Sequence, residues 1–281
     1  MQLGIFAKVF VRPTVEESLD AVRSHGLHCV QFNMTTAGLA PLPQHIDPEL
    51  CDRIRQAMSA RGIRMAAVSG TFNVCHPDPE HRRSGLERLR VLATACRRLG
   101  TSVITLCTGT RDPDNMWGWH PNNGTPEAWR DTADTVREAL QIAEEADVTL
   151  AFEPEVANVV DSAEKGRRLL DEMESPRLKV VMDGANLFHA GQLPRMREVL
   201  EAAFALLGKD LVLAHAKDLS HDGDAGHEAA GCGVLDYDLY LKLLSASGFD
   251  GPIVLHGLDE TQVPQSVAFL REKLSRIASV Q

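Results

Sequence analysis

No two cysteines in this chain have the Cys-x-x-Cys spacing; the six, Cys29, Cys51, Cys75, Cys96, Cys107 and Cys232, are scattered. That excludes a zinc ribbon, argues against a disulfide framework and fits a reducing cytoplasm, the expected location. No apolar run approaches the ~20 residues of a membrane span, so no membrane association is expected. The N-terminus lacks a basic segment followed by a long apolar one, and no signal peptide is expected. Positive charge is scarce: 29 Lys and Arg stand against 39 Asp and Glu, a net charge of −10. That balance is unfavourable for gripping a phosphate backbone, so nucleic acid is not an expected partner. No glycine-rich phosphate turn follows the first apolar run, which tells against an open doubly wound sheet. No low-complexity tract or linker interrupts the chain, and residues 1–281 read as one domain.

What is present is an alternation. Eight short apolar runs are each followed by a helical stretch: Leu3–Phe6, His28–Phe32, Ile63–Val68, Ser102–Cys107, Val148–Phe152, Leu178–Met182, Leu211–His215 and Pro252–His256. Runs such as Val-Ile-Thr-Leu-Cys (103–107) are apolar throughout, as strands covered on both faces are. Thr14 with Glu17 makes a capping box, and Asp47-Pro48, Thr125-Pro126 and Asp161-Ser-Ala-Glu164 mark further helix starts. Asp78-Pro79 marks another, which makes Asp78 structural. Gly26, Gly62, Gly100, Gly208 and Gly248 stand where helices should stop. This pattern predicts an α/β fold, a single (β/α)8 TIM barrel, with its active site at the C-terminal ends of the strands.

Those ends carry the chemistry. Glu153, Asp183, His215 and His256 close the last four runs. Adjacent barrel strands lie about 5 Å apart, so the four side chains can converge on one ion. Carboxylates with imidazole suit Mn²⁺, Co²⁺, Fe²⁺ or Zn²⁺ better than Ca²⁺. If the strands continue, their two-residue period puts Glu155 on the face of Glu153 and Lys217 on that of His215; the alternatives are that Glu155 caps the following helix and that Lys217 only offsets the acidic site. Asn186 and His189 follow Asp183, and Asn73 and His76 follow the third run; these are candidate contacts for substrate hydroxyls. Asp218 either orients Lys217 or ends its strand. Two loops are long, Thr108–Gly124 and Asp218–Gly233, and such loops are usually functional. The first carries Trp117, Trp119 and His120, candidates for an apolar wall against sugar C–H groups, with plain loop packing as the alternative.

Several segments together resemble a known family. They are Gly70-Thr-Phe-Asn73 with His76-Pro-Asp78, Leu106-Cys-Thr-Gly-Thr110, Phe152-Glu-Pro-Glu155, Val181-Met-Asp-Gly-Ala-Asn186, His215-Ala-Lys-Asp218 and Gly231-x-Gly233-x-Leu-Asp236. The chain is similar over essentially its whole length to the xylose isomerase-like barrels called sugar phosphate isomerases/epimerases, which also include apurinic-site endonucleases. The resemblance implies carbohydrate metabolism and one divalent ion, Mn²⁺ first, with Co²⁺, Mg²⁺, Fe²⁺ or Zn²⁺ as alternatives. It implies Glu153, Asp183 and His215 as metal ligands, with Glu153 also the acid/base group. It implies a homo-oligomer only as a common habit of such barrels. In the family's ketose epimerases the fourth ligand is a second glutamate; here His256 stands in its place, and Glu260 lies beyond the strand. A histidine can be a ligand or a base, but a symmetrical two-glutamate mechanism does not carry over.

The expected function is therefore isomerisation or epimerisation of a sugar or polyol ketone through an enediolate, with Glu153, His256 and Lys217 catalytic. A metal-dependent lyase or dehydratase, losing a β-leaving group after the same proton removal, is the alternative. An apurinic-site endonuclease is remote, because Cys107 and Asn186 stand where its extra histidine ligands are expected. A sugar-binding barrel without catalysis has only the departure at His256 in its favour.

Overall fold

The structure is a computed structural model and describes residues 1–278. Its strands are β1 (Gln2–Phe6), β2 (Cys29–Phe32), β3 (Arg64–Ser69), β4 (Val103–Cys107), β5 (Thr149–Glu153), β6 (Leu178–Asp183), β7 (Leu211–Asp218), β8 (Glu228–Ala229) and β9 (Pro252–Leu255). All but β8 pair in parallel, in the order β6-β5-β4-β3-β2-β1-β9-β7, and a β6–β7 pairing closes the ring. The result is the expected TIM barrel. β8 was not expected; it is a two-residue strand antiparallel to the end of β7. Around the barrel run α1 (Val15–Ser24), α2 (Pro48–Ala60), α3 (Pro79–Leu99), α4 (Pro126–Ala146), α5 (Ala163–Met173), α6 (Met196–Leu207), α7 (Tyr237–Ala246) and α8 (Val263–Ala278).

Two apolar layers follow from the strand period. The larger lies between strands and helices and includes Ile5, Val30, Val68, Ile104, Leu150 and Val180. The smaller fills the inside of the barrel with Phe6, Cys29, Ala67, Ala151, Val181, Leu213 and Val254. Above that inner layer, toward the C-terminal ends, the inward residues become polar.

Most helix starts fall where the sequence places them. Thr14, Asp47, Asp78 and Thr125 each accept a backbone N–H of the first turn. At α5 the cap is Ser162, not Asp161. The Ser162 hydroxyl accepts Lys165 N–H at 3.3 Å, and Asp161 instead pairs with the Lys165 ammonium at 2.7 Å. Gly208 also departs from expectation. Its φ is −55°, because α6 runs on into a 3-10 turn, Gly208–Asp210. Here no left-handed residue is needed.

Candidate functional site

The ends of β5 and β6 and the middle of β7 bring Glu153, Asp183 and His215 together, with one ligand atom of each within 4.8 Å of the others. The parallel register sets this up by pairing Asp183 directly with His215. His215 Nδ1 lies 3.3 Å from Glu153 Oε1 and 3.8 Å from Asp183 Oδ2. The other ring nitrogen, Nε2, meets Gln31 Oε1 at 2.8 Å, while Gln31 Nε2 donates to Thr105 Oγ1 at 3.1 Å. The amide is thus held with its oxygen toward His215, which places a proton on Nε2 and aims Nδ1 at the carboxylates.

Nδ1 and two carboxylate oxygens facing one point need a cation between them, a proton or a metal ion. Asp183 is 1% exposed, and its Oδ2 is buried without a hydrogen bond. Its partner there is the Lys217 ammonium, 3.3 Å away; its other oxygen accepts Ala185 N–H at 3.0 Å. An unsatisfied buried oxygen beside an imidazole nitrogen and a second carboxylate is a donor set that fits a divalent ion.

The charges around the cluster are strongly perturbed. Burial raises the Glu153 carboxyl, but His215, Lys217 and His256 outweigh it and hold it well below its ordinary range. Burial, with Glu153 next to it, pushes Glu155 up to about 7. Burial also raises Asp183, against the pull of Lys217. For Lys217 burial works downward, but Asp183, Glu153 and Glu155 together keep its pKa raised. His256 is pushed well below its ordinary value by burial and by His215 and Lys217, and so is neutral.

These groups open into a cavity of about 480 Å³ whose wall includes Phe6, Lys8, Gln31, Asn33, Trp117, Glu153, Glu155, His215, Lys217 and His256. His256 is outside the three-residue cluster. Its ring lies flat on His215, 4.7 Å between centroids and 2° between planes, and on Phe6 at 5.2 Å. Its Nδ1 is buried without a partner.

Four of the expected substrate contacts are placed elsewhere. Asn186 is fully buried behind the carboxylates. It donates to Glu153 Oε1 at 2.6 Å and more weakly to Glu155 Oε2 at 3.4 Å, and its Oδ1 accepts Gly226 N–H at 2.7 Å. Asn73 spends its amide on the loop after β4, accepting Thr110 N–H at 3.0 Å and donating to Thr110 O at 2.9 Å. His76 uses both nitrogens on backbone, near Pro113 O at 3.1 Å and accepting Asp78 N–H at 3.0 Å. His189 lines a separate groove between α5 and α6 with Ser162 and Gln192. Trp117 does line the cavity, whereas Trp119, 65% exposed, does not. His120 caps a turn instead.

Asp218 neither orients Lys217 nor merely ends a strand. Its carboxylate accepts the N–H groups of Leu219, Gly231 and Leu235 at 2.9, 3.0 and 2.9 Å, which folds the loop after β7 around it. Gly233 is required there: a Cβ would lie 2.4 Å from Asp218 Oδ1 and 2.4 Å from Leu219 O. Glu260 is tied to Arg12. Gln31, Thr105 and Lys8 belong to the site and were not expected. The one sequence signal for the first two is a polar residue inside an otherwise apolar strand.

The model of the xylose isomerase-like TIM barrel family matches residues 19–273. The chain belongs to this family. Among solved structures, it is similar to a D-tagatose 3-epimerase-like protein, with a TM-score of 0.79, 16% identity and 99% of each chain covered. It is similar also to the D-psicose 3-epimerase of Clostridium cellulolyticum H10, with a TM-score of 0.68, 17% identity, and 90% of this chain and 84% of that one covered. The IOLI protein, solved with a bound zinc atom, gives a TM-score of 0.73 at 17% identity over 99% of this chain and 98% of that one. At these identities the likeness establishes the fold. No curated protein matches the sequence.

Proposed function

We propose that this family member is a divalent-metal-dependent isomerase or epimerase of a sugar or polyol ketone. The observation that carries the proposal is the Glu153–Asp183–His215 cluster at the barrel mouth, with its unsatisfied Asp183 oxygen and adjoining cavity. The names of the similar structures, sugar 3-epimerases among them, support the substrate class. An ion held there, Mn²⁺ first among the candidates, would polarise a substrate carbonyl and acidify the neighbouring C–H.

The chain's own residues divide the remaining work. Glu153, held ionised by its surroundings, is the base. Lys217, charged and fixed on Asp183, offers donors to a substrate oxygen. The sequence points to His256 as the second acid/base group. In its neutral form it is better suited to accept than to donate, and Glu155 has the better-matched pKa for returning a proton. The same asymmetry supports a second reading, elimination. One-sided proton removal followed by loss of a β-hydroxyl needs no matching pair of carboxylates.

Turnover of keto-sugars in heavy water, with metal analysis of the same protein, tests this. We expect about one transition-metal ion per chain, lost in Asp183→Ala, and deuterium at the carbon next to the carbonyl. Retention of the ion in His256→Ala would assign His256 to substrate or proton and not to the metal. A dehydrated product would select elimination. Turnover without deuterium uptake would overturn the enediolate route.

A further inference from the structure

The cavity has a second lysine with a different status from the first. Lys217 is buried and committed to Asp183. Lys8, in the 3-10 turn that follows β1, also lines the cavity. Among the described residues it has no hydrogen bond and no ion pair. Its ammonium rests 4.5 Å from the centroid of the Phe6 ring, and Phe6 is itself stacked on His256. The acidic groups nearest in the chain fold are spoken for: Glu260 is paired with Arg12, and Asp259 accepts from Thr261.

Position gives this lysine meaning. In the closed ring β1 stands four strands from β5 in either direction, so Lys8 sits across the mouth from Glu153. The cavity wall between them on the β2–β4 side, with Asn33, Thr35, Ser69 and Thr71, is neutral. The carboxylates that could satisfy a cation, Glu153 and Glu155, lie on the far side, while Lys217, on β7, stands between, two strands from β1 and near enough to act on Lys8. An unpaired ammonium over an aromatic ring, across the cavity from Glu153, is complementary to an anion on a bound ligand.

We propose that the substrate carries an anionic group, a carboxylate or a phosphate, at the end remote from its reacting carbonyl, and that Lys8 binds that group. The placement of the reacting end rests on the function proposed above. A substrate of this class spans the mouth, with its carbonyl end at Glu153, its middle hydroxyls against the neutral wall and its anion at Lys8. The cavity, about 480 Å³, is within the ordinary size range of small-ligand sites.

Calorimetric binding of fructose, fructose 6-phosphate and fructuronate, three probes on one carbon skeleton, tests the proposal on both metal-loaded and chelator-stripped protein. At least one anionic probe should bind about tenfold tighter than fructose, the gain of one charge-assisted hydrogen bond. Lys8→Met should erase that preference while leaving metal content unchanged, and Lys8→Arg should keep most of it. A preference for one anionic probe over the other identifies phosphate or carboxylate as the group. Equal binding of all three, no binding of either anionic probe, or equal weakening of all three by Lys8→Met overturns the proposal. Binding to stripped protein reads Lys8 without turnover, so a failure of the isomerase reading would show in the exchange experiment and not here.

Discussion

The two long loops over the barrel mouth are held by different chemistry. The loop after β4 is held mainly by amides, with an ion pair, Arg111 to Asp131 at 2.7 Å, beside them. Asn73 brackets Thr110, Asn123 Oδ1 accepts Thr110 Oγ1 at 3.0 Å and Arg111 N–H at 2.8 Å, and Asn158 Oδ1 accepts Gly109 N–H at 2.6 Å. The loop after β7 is held by a carboxylate, Asp218, and by Asn186, which grips Gly226 while also donating to Glu153. One of these amides, Asn158, also donates to Glu155 Oε1 at 3.0 Å, so the first loop meets the site's charge through Glu155, which is outside the three-residue cluster. The second loop shares a residue with the metal cluster, so its order and the setting of Glu153 are one problem. Each loop is therefore tied to a different carboxylate, the first to Glu155 through Asn158 and the second chiefly to Glu153 through Asn186.

The comparison breaks most visibly at Asp218. Asp218→Ala strips acceptors from three N–H groups, two of them in the far limb of the loop. It should cost about 3 kcal/mol or more and lower Tm by roughly 6 °C or more, measured by calorimetry. Asn186→Ala should cost about 10- to 100-fold in metal affinity or kcat with a smaller fall in Tm, since it frees both Glu153 and the loop. Metal titration of the folded variant checks this, and unchanged affinity would uncouple the loop from the site. Asn73→Ala should destabilise by about 2 kcal/mol while metal affinity stays as it was. Trp117→Ala should be mildest, a rise of about threefold in KM with kcat and metal content unaltered. An effect of Asn73→Ala on metal binding would erase the distinction between the loops.

Much of this was legible in the sequence. Strand positions were, because continuous apolar runs between turn signals leave little choice of element, and the parallel ring then brings Glu153, Asp183 and His215 together. Lys217 followed from the two-residue strand period; Glu155 lies past the end of β5 and reaches the cavity although the strand does not continue to it. The loop residues did not follow. Asn73, His76, Asn186 and His189 lie past the strand ends, where no period says whether a polar side chain turns to the cavity or to a backbone group. The first three turned inward because buried loop amides and carbonyls need partners. Gln31 was hidden for the opposite reason. It lies in β2, where the β2–β3 register shifts between Val30 and Gln31, and such an irregularity is invisible in sequence. Lys8, one residue among Ala-Lys-Val, carries no signal until the ring places β1 opposite β5.

The amide relay from Thr105 through Gln31 to His215 has a kinetic consequence. With one nitrogen held by Gln31 and one face covered by His256, the imidazole has no ring flip left to make. An ion taken up there would meet a nitrogen already aimed, and its capture would then be paced by the shedding of its own water shell and not by any search of the side chain.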